Sequence, residues 1–274
     1  MKFVVSVDVE EIPLKGHVID YSTVVEGVPL LLDLFHDLAI PATFFVTRNV
    51  AKNATDAITE IAKHDHEIAC HGEHLDPMCF QSAENQHACI KSATETITEY
   101  VNVVPVGFRA PFNRINGETL RALVELGYKY DSSVVPSSRL LSRYYYPKAP
   151  KTPYNPSLND ICKSGSLLLL EIPIYTLPVT KVPLGLSYMK LLGLDFFRLF
   201  LINLKQDIVM FYLHTYDPFS LPSHMDLPLH FRLMYKRANG FEVLKDFLVY
   251  VSETLSPKYI CAREVLNHLR TTEA

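Results

Sequence analysis

Apolar residues in this chain follow two rhythms. Phe3 to Val7, Ala42 to Val46 and Glu67 to Cys70 are short, nearly continuous apolar runs, the pattern of strands covered on both faces in a parallel sheet. Between them, Val24 to Leu38 places Leu30, Leu31, Leu34, Phe35 and Leu38 at helical spacing, and Asp56 to His64 predicts a second helix. Alternation of this kind predicts α/β architecture. Thr23 and Glu26 have the spacing of a capping box. Pro29 cannot donate a backbone hydrogen bond, so the first helix is expected to begin after Thr23 or to bend.

Further along, Glu84 to Tyr100 sets Ile90, Ala93, Ile97 and Val101 on one helical face and Lys91, Glu95 and Glu99 on the other. A strand then ends in Gly107-Phe108-Arg109-Ala110-Pro111-Phe112, Asn116-Gly117-Glu118 opens a helix that closes before Gly127, and the next loop carries Asp131-Ser132-Ser133. Residues 137 to 166, rich in Pro, Tyr, Ser, Asn and Lys, keep no period and read as an irregular insertion, either a binding loop or a plain excursion. Leu167 to Ile174, interrupted by Glu171, and Ile208 to Leu213, ending at His214, predict two more strands, and Phe241 to Leu255 a long amphipathic helix. Leu184 to Leu204 is strongly apolar, yet Lys190, Asp195 and Arg198 make a membrane span unsuitable. It reads as a buried or groove-lining helix, or as one lying on a bilayer surface. The whole of 1–274 is expected to form one domain.

Composition narrows the partners. Net charge is -4, from 26 basic and 30 acidic side chains, and no Lys/Arg run is present, so nucleic acid is not an expected partner. The N-terminus enters a strand directly, without the zones of a signal peptide, which predicts a cytoplasmic protein, at the inner membrane face if the 184–204 segment docks there. Five cysteines at irregular spacing, with no CxxC, predict reduced thiols. Nothing in the sequence sets the oligomeric state.

Asp8, His71, Arg109 and His214 all fall at the C-terminal ends of expected strands, where parallel sheets place their sites. Carboxylate and imidazole are the donors a divalent cation takes in metal-assisted hydrolysis. His66-Glu67 followed by His71 is not a zincin helix, because residues five apart lie about 140° apart around a helix, whereas HExxH needs i and i+4 on one face. His71 and His74, three apart and flanking Gly72, suit a loop closing on one ion. Taken singly, Asp8 and Glu10 also suit a solvated acidic loop, and Arg109 and Asp131 a surface ion pair.

The order Asp8-Val9-Glu10, His71-Gly72-Glu73-His74, Arg109-Ala110-Pro111-Phe112, Asp131-Ser132-Ser133 and Leu213-His214 resembles the motif series of the polysaccharide deacetylase superfamily, the NodB-homology or carbohydrate esterase family 4 proteins. The resemblance spans Met1 to Asp217. Val9 stands where the family commonly has a second aspartate, and His74 comes one residue earlier than the family's second histidine. What the resemblance implies is a distorted seven- or eight-stranded (β/α) barrel and a metal-dependent amide hydrolase that removes an N-acyl group, acetyl in the first instance, from an amino sugar or glycan. Glu10, His71 and His74 would hold a divalent ion, zinc most simply, with cobalt, nickel or manganese as alternatives. Asp8 would serve as base, Arg109 as its partner, and His214 as acid oriented by Asp131. Pro111, Phe112, Tyr145 and Glu171 are the expected substrate contacts, and Tyr144, Tyr146 and Tyr154 stack on sugar or hold their segment down. A lipid-linked sugar is as suitable a substrate as a polymer. A small amide or cyclic imide, or a sugar-binding relative without catalysis, is the alternative.

Overall fold

The computed structural model describes residues 1–13, 19–73, 77–138, 146–202, 204–219 and 239–272. Strand β1 (Lys2–Val9) is followed by a small hairpin, β2 (Ile12–Pro13) and β3 (Ile19–Asp20), then α1 (Ser22–Asp37) and β4 (Ala42–Val46). Next come α2 (Arg48–Asn53), α3 (Thr55–Lys63), β5 (Glu67–Cys70), α4 (Ala83–Val101), β6 (Gly107–Phe108), α5 (Gly117–Glu125) and β7 (Tyr130–Asp131). A second hairpin, β8 (Pro156–Ser157) and β9 (Asp160–Ser164), precedes β10 (Leu170–Glu171), α6 (Leu186–Leu192), α7 (Leu194–Leu201), β11 (Ile208–His214), α8 (Gly240–Leu255), β12 (Lys258–Tyr259) and α9 (Ala262–Thr272).

The main sheet runs β10-β7-β6-β5-β4-β1-β11, with β12 alongside the start of β1, and its pairs are parallel. It curls into a half-barrel, the distorted-barrel architecture expected of a deacetylase. Segment 172–185 bridges its two ends: Tyr175 N–H donates to the Met210 carbonyl at 3.0 Å, and Tyr212 N–H to the Leu184 carbonyl at 3.2 Å.

Strand alternation divides the core in two. Phe3, Val5, Val7 and Val9 face outward with Phe44, Cys70, Phe108 and Phe211, packing on the helices. Val4, Phe45, Ala69, Tyr130, Ile172 and Met210 fill the inside. Because β1, β4, β5 and β11 are covered on both faces, their apolar runs were legible as strands.

Several local expectations are corrected. The α1 N-cap is Tyr21, with no side-chain cap bond, so Thr23 and Glu26 form no capping box. Asp20 instead accepts from both the backbone N–H and the hydroxyl of Ser22, at 2.8 and 2.9 Å. The helix also begins before Thr23, with Pro29 inside it. Pro29 and Val25, whose carbonyl loses its partner, are both on the exposed side, where water can replace the missing bond. The capping box appears at α5, where Asn116 and Thr119 exchange bonds. Leu184 to Leu204 is split at Gly193 into α6 and α7, and among the described residues no helix is long and apolar enough to cross a membrane. The 137–166 segment is less irregular than expected, since it carries the β8–β9 hairpin. Its Tyr154 bridges to Glu171, and the Tyr146 hydroxyl accepts from Ile115 N–H at 2.9 Å, so both tyrosines pin the segment down. Tyr144 and Tyr145 lie outside the described residues. All five cysteines are free.

Candidate active site

Parallel pairing sets Asp8 directly beside His214, and both fall on the inner face at the C-terminal edge of the sheet. His71 and Arg109 enter from neighbouring strands in the same row: His71 N–H donates to the Val46 carbonyl and Arg109 N–H to that of Cys70. The four residues expected at strand ends are therefore brought together, with Glu10 one step beyond β1.

Arg109 is completely buried and lies over the Phe45 ring, 4.1 Å from its centroid. Its Nη1 donates to Asp8 Oδ1 at 2.7 Å, and its Nε and Nη2 donate to the Ser132 carbonyl and hydroxyl, each at 3.0 Å. Each of the three guanidinium nitrogens thus carries a hydrogen bond. Burial acts to raise the Asp8 pKa, but Arg109, His71 and His214 outweigh it and hold the carboxyl below its ordinary range. Asp8 is ionised at neutral pH.

His71 Nδ1 donates to the Arg109 carbonyl at 2.8 Å, which turns Nε2 toward Glu10 Oε2, 3.4 Å away. Two ligands about 2.0–2.1 Å from a tetrahedral ion stand about 3.4 Å apart. A carboxylate and an imidazole facing each other at that distance fit a shared divalent cation. Among the described residues no group of three or more metal-type donors converges, and His74 lies outside them. Glu73, beside it, is engaged in an ion pair with Arg48.

His214 differs from its expected wiring. Its Nδ1 bonds Asp217 Oδ2 at 3.1 Å, and the same oxygen accepts its backbone N–H at 2.8 Å. Ser187 on α6 donates to Asp217 Oδ1 at 2.7 Å, and Lys190 Nζ to the Asp217 carbonyl at 2.9 Å. The turn is also clamped by α8, since a Cβ on Gly240 would sit 2.0 Å from the Asp217 carbonyl oxygen. Burial acts to lower the His214 pKa, but Asp217, Glu10 and Asp8 raise it to about 9. The ring is cationic at neutral pH. Tyr216 stacks on it and bonds Glu10, so Tyr216 and Asp217 are site residues that the sequence reading missed. The only signal was their position two and three residues after His214.

Asp131 does not orient His214, which corrects its expected role. Its register partners are Phe108 and Glu171, and Phe108 belongs to the outer core, so all three side chains point away from the site. Asp131 accepts from Ser133 Oγ at 2.6 Å, and Glu171 Oε1 from Val134 N–H at 2.9 Å. Both are completely buried, so Glu171 is not a substrate contact either. Pro111 is buried, whereas Phe112 is half exposed, in left-handed backbone at φ 58°. Tyr145 lies outside the described residues.

A curled parallel sheet with carboxylates, imidazoles and a buried arginine gathered at its C-terminal edge defines the class of deacetylase-type α/β proteins. Residues 18–130 match the polysaccharide deacetylase family, whose members are typically metal-dependent. It is similar to the peptidoglycan deacetylase of Helicobacter pylori, at 29% identity over 110 residues, 40% of this chain and 37% of that protein. The match thus spans little more than a third of the curated relative. Among solved structures, a Mycobacterium smegmatis protein assigned as a polysaccharide deacetylase superposes with TM-score 0.68 at 19% identity, covering 99% of this chain and 91% of that one. PuuE allantoinase has TM-score 0.65 at 16% identity, covering 99% and 90%. A CE4 family pseudoenzyme from Bacillus anthracis has TM-score 0.57 at 11% identity, covering 96% and 64%. At these identities the likeness is one of fold.

Proposed function

We propose that this protein is a metal-dependent amide hydrolase that removes an N-acyl group, acetyl in the first instance, from an amino sugar or glycan, lipid-linked sugars included. The observation that carries the reading is the placement of Asp8 and His214 side by side, with Glu10 and His71 facing each other next to them. A base and an acid beside a carboxylate–imidazole pair are the parts amide hydrolysis needs.

Glu10 and His71, with His74 as third donor, would hold a divalent cation, zinc most simply, which supplies Lewis-acid polarisation of the amide carbonyl and a more acidic water. Asp8 takes the proton of the attacking water. Arg109 keeps that carboxylate ionised and oriented through the 2.7 Å bond. His214 then gives its proton to the departing amine nitrogen, held in line by Asp217. Phe112, half exposed three residues after Arg109, offers an apolar surface to a sugar ring.

The test is acetate release from chitooligosaccharides and peptidoglycan fragments by protein loaded with zinc, cobalt, nickel or manganese, set beside ring opening of a cyclic ureide. Acetate release that depends on the metal supports the proposal. Ring opening alone would reassign the substrate to a small cyclic amide, and failure to bind any of the four ions would mark a non-catalytic relative.

A further inference from the structure

We infer that Tyr216 is a positioning residue that fixes Glu10 for single-oxygen ligation and holds the plane of the His214 ring. The inference rests on the hydrolase reading above and deepens it.

Two contacts meet in this one side chain. The Tyr216 hydroxyl donates to Glu10 Oε1 at 2.9 Å, and its ring stacks on His214 with centroids 4.6 Å apart and planes 9° from parallel. Glu10 is thereby divided: Oε1 belongs to the phenol, while Oε2 faces His71 Nε2 at 3.4 Å. A carboxylate with one oxygen tied by a hydrogen bond presents the other alone, which is how partners outside the ligand set orient the ligands themselves. Glutamate needs this help more than aspartate would. It has one more rotatable bond to freeze, and the phenol supplies the second anchor.

The stack does a separate job. Asp217 fixes the His214 ring within its own plane through Nδ1, but a single in-plane bond leaves the ring free to tilt about it. The parallel face of Tyr216 removes that tilt and directs Nε2 toward the side where Glu10 and Asp8 lie, 3.8 and 3.9 Å away. The turn from His214 to Asp217 therefore delivers acid, stack and anchor together. Neither function needs the phenol to change its own protonation.

The two functions separate in two variants. Tyr216→Phe keeps the ring and loses the hydroxyl, so zinc affinity, measured by competition with a chromophoric chelator, should fall about 10- to 100-fold, with the thermal midpoint close to wild type. Tyr216→Leu also loses the stack and should lower kcat further without weakening zinc more. In a Glu10→Asp background the shortened carboxylate no longer reaches the phenol, and adding Tyr216→Phe should change zinc affinity little. Tyr216→Phe with wild-type zinc affinity, in a protein that binds zinc and releases acetate, overturns the inference and leaves the hydrolase reading standing. A wild-type protein that binds no zinc overturns both.

Discussion

Asp217 holds His214 with a single oxygen: Oδ2 accepts the backbone N–H at 2.8 Å and lies 3.1 Å from ring Nδ1. The imidazole and its partner sit in one tight turn, closed by Asp217 N–H donating to the His214 carbonyl at 3.0 Å. Asp217→Asn should therefore lower the His214 ring pKa from about 9 in metal-free protein and cut kcat by about 10²-fold or more. Asp131→Asn should leave that ring titration where it is. NMR titration of the His214 ring in both variants checks this, and equal shifts would return Asp131 to the role it was first expected to have.

Asp8 and the metal-facing pair should separate in their effects. Asp8→Asn removes the proton acceptor but none of the two facing donors, so zinc content should persist while kcat falls about 10²- to 10⁴-fold. His71→Ala should lose the metal itself. Metal stoichiometry after gel filtration, beside initial rates, distinguishes the two, and two fully active variants would remove the mechanism.

The buried pair of carboxyls on the outer face predicts a dependence of stability on pH. Burial first, then the neighbouring Asp131, push the Glu171 pKa well above its ordinary 4.5, and burial raises Asp131 as well. A raised carboxyl binds its proton more tightly folded than unfolded. Its stabilising contribution is full below about 4.5 and is lost as pH rises from there through the folded pKa. Glu171→Gln cannot ionise, so its stability relative to wild type should rise with pH across that window, by at most about 1.4 kcal/mol per pH unit. Urea midpoints of both proteins from pH 4 to 8 measure the slope; parallel curves would contradict it.

Gly107 is a point of close packing against the inner core. A Cβ there would stand 1.9 Å from the Tyr130 ring, whose hydroxyl donates to the buried Glu67 at 3.0 Å. Gly107→Ala must displace that ring from both its packing and its bond, at a cost of about 1–3 kcal/mol or more. A thermal midpoint within a degree of wild type would show that Tyr130 has room to move.

Much of the candidate site was legible because parallel strands advertise themselves. Their faces are both covered, so the chain is apolar throughout, and a polar residue at the end of such a run stands out, as Asp8, His71 and His214 do. Arg109 was legible beside Pro111 for the same reason. Asp131 was misread because β7 is only two residues long and carries no period from which its face can be told. Tyr216 and Asp217 were invisible because a turn beyond a strand has no pattern either.

The linear chain by itself determined the alternation of strand and helix, the chemistry gathered at strand ends, and the family whose motif series they resemble, since these depend on side-chain character and spacing within single elements. Only the tertiary structure decided which polar groups meet. Strand register turned Asp131 and Glu171 outward together, and the turn clamped by α6 and α8 put Asp217 and Tyr216 against His214 and Glu10. Those contacts join residues up to 206 positions apart, and no local pattern specifies the register and packing that bring them within reach.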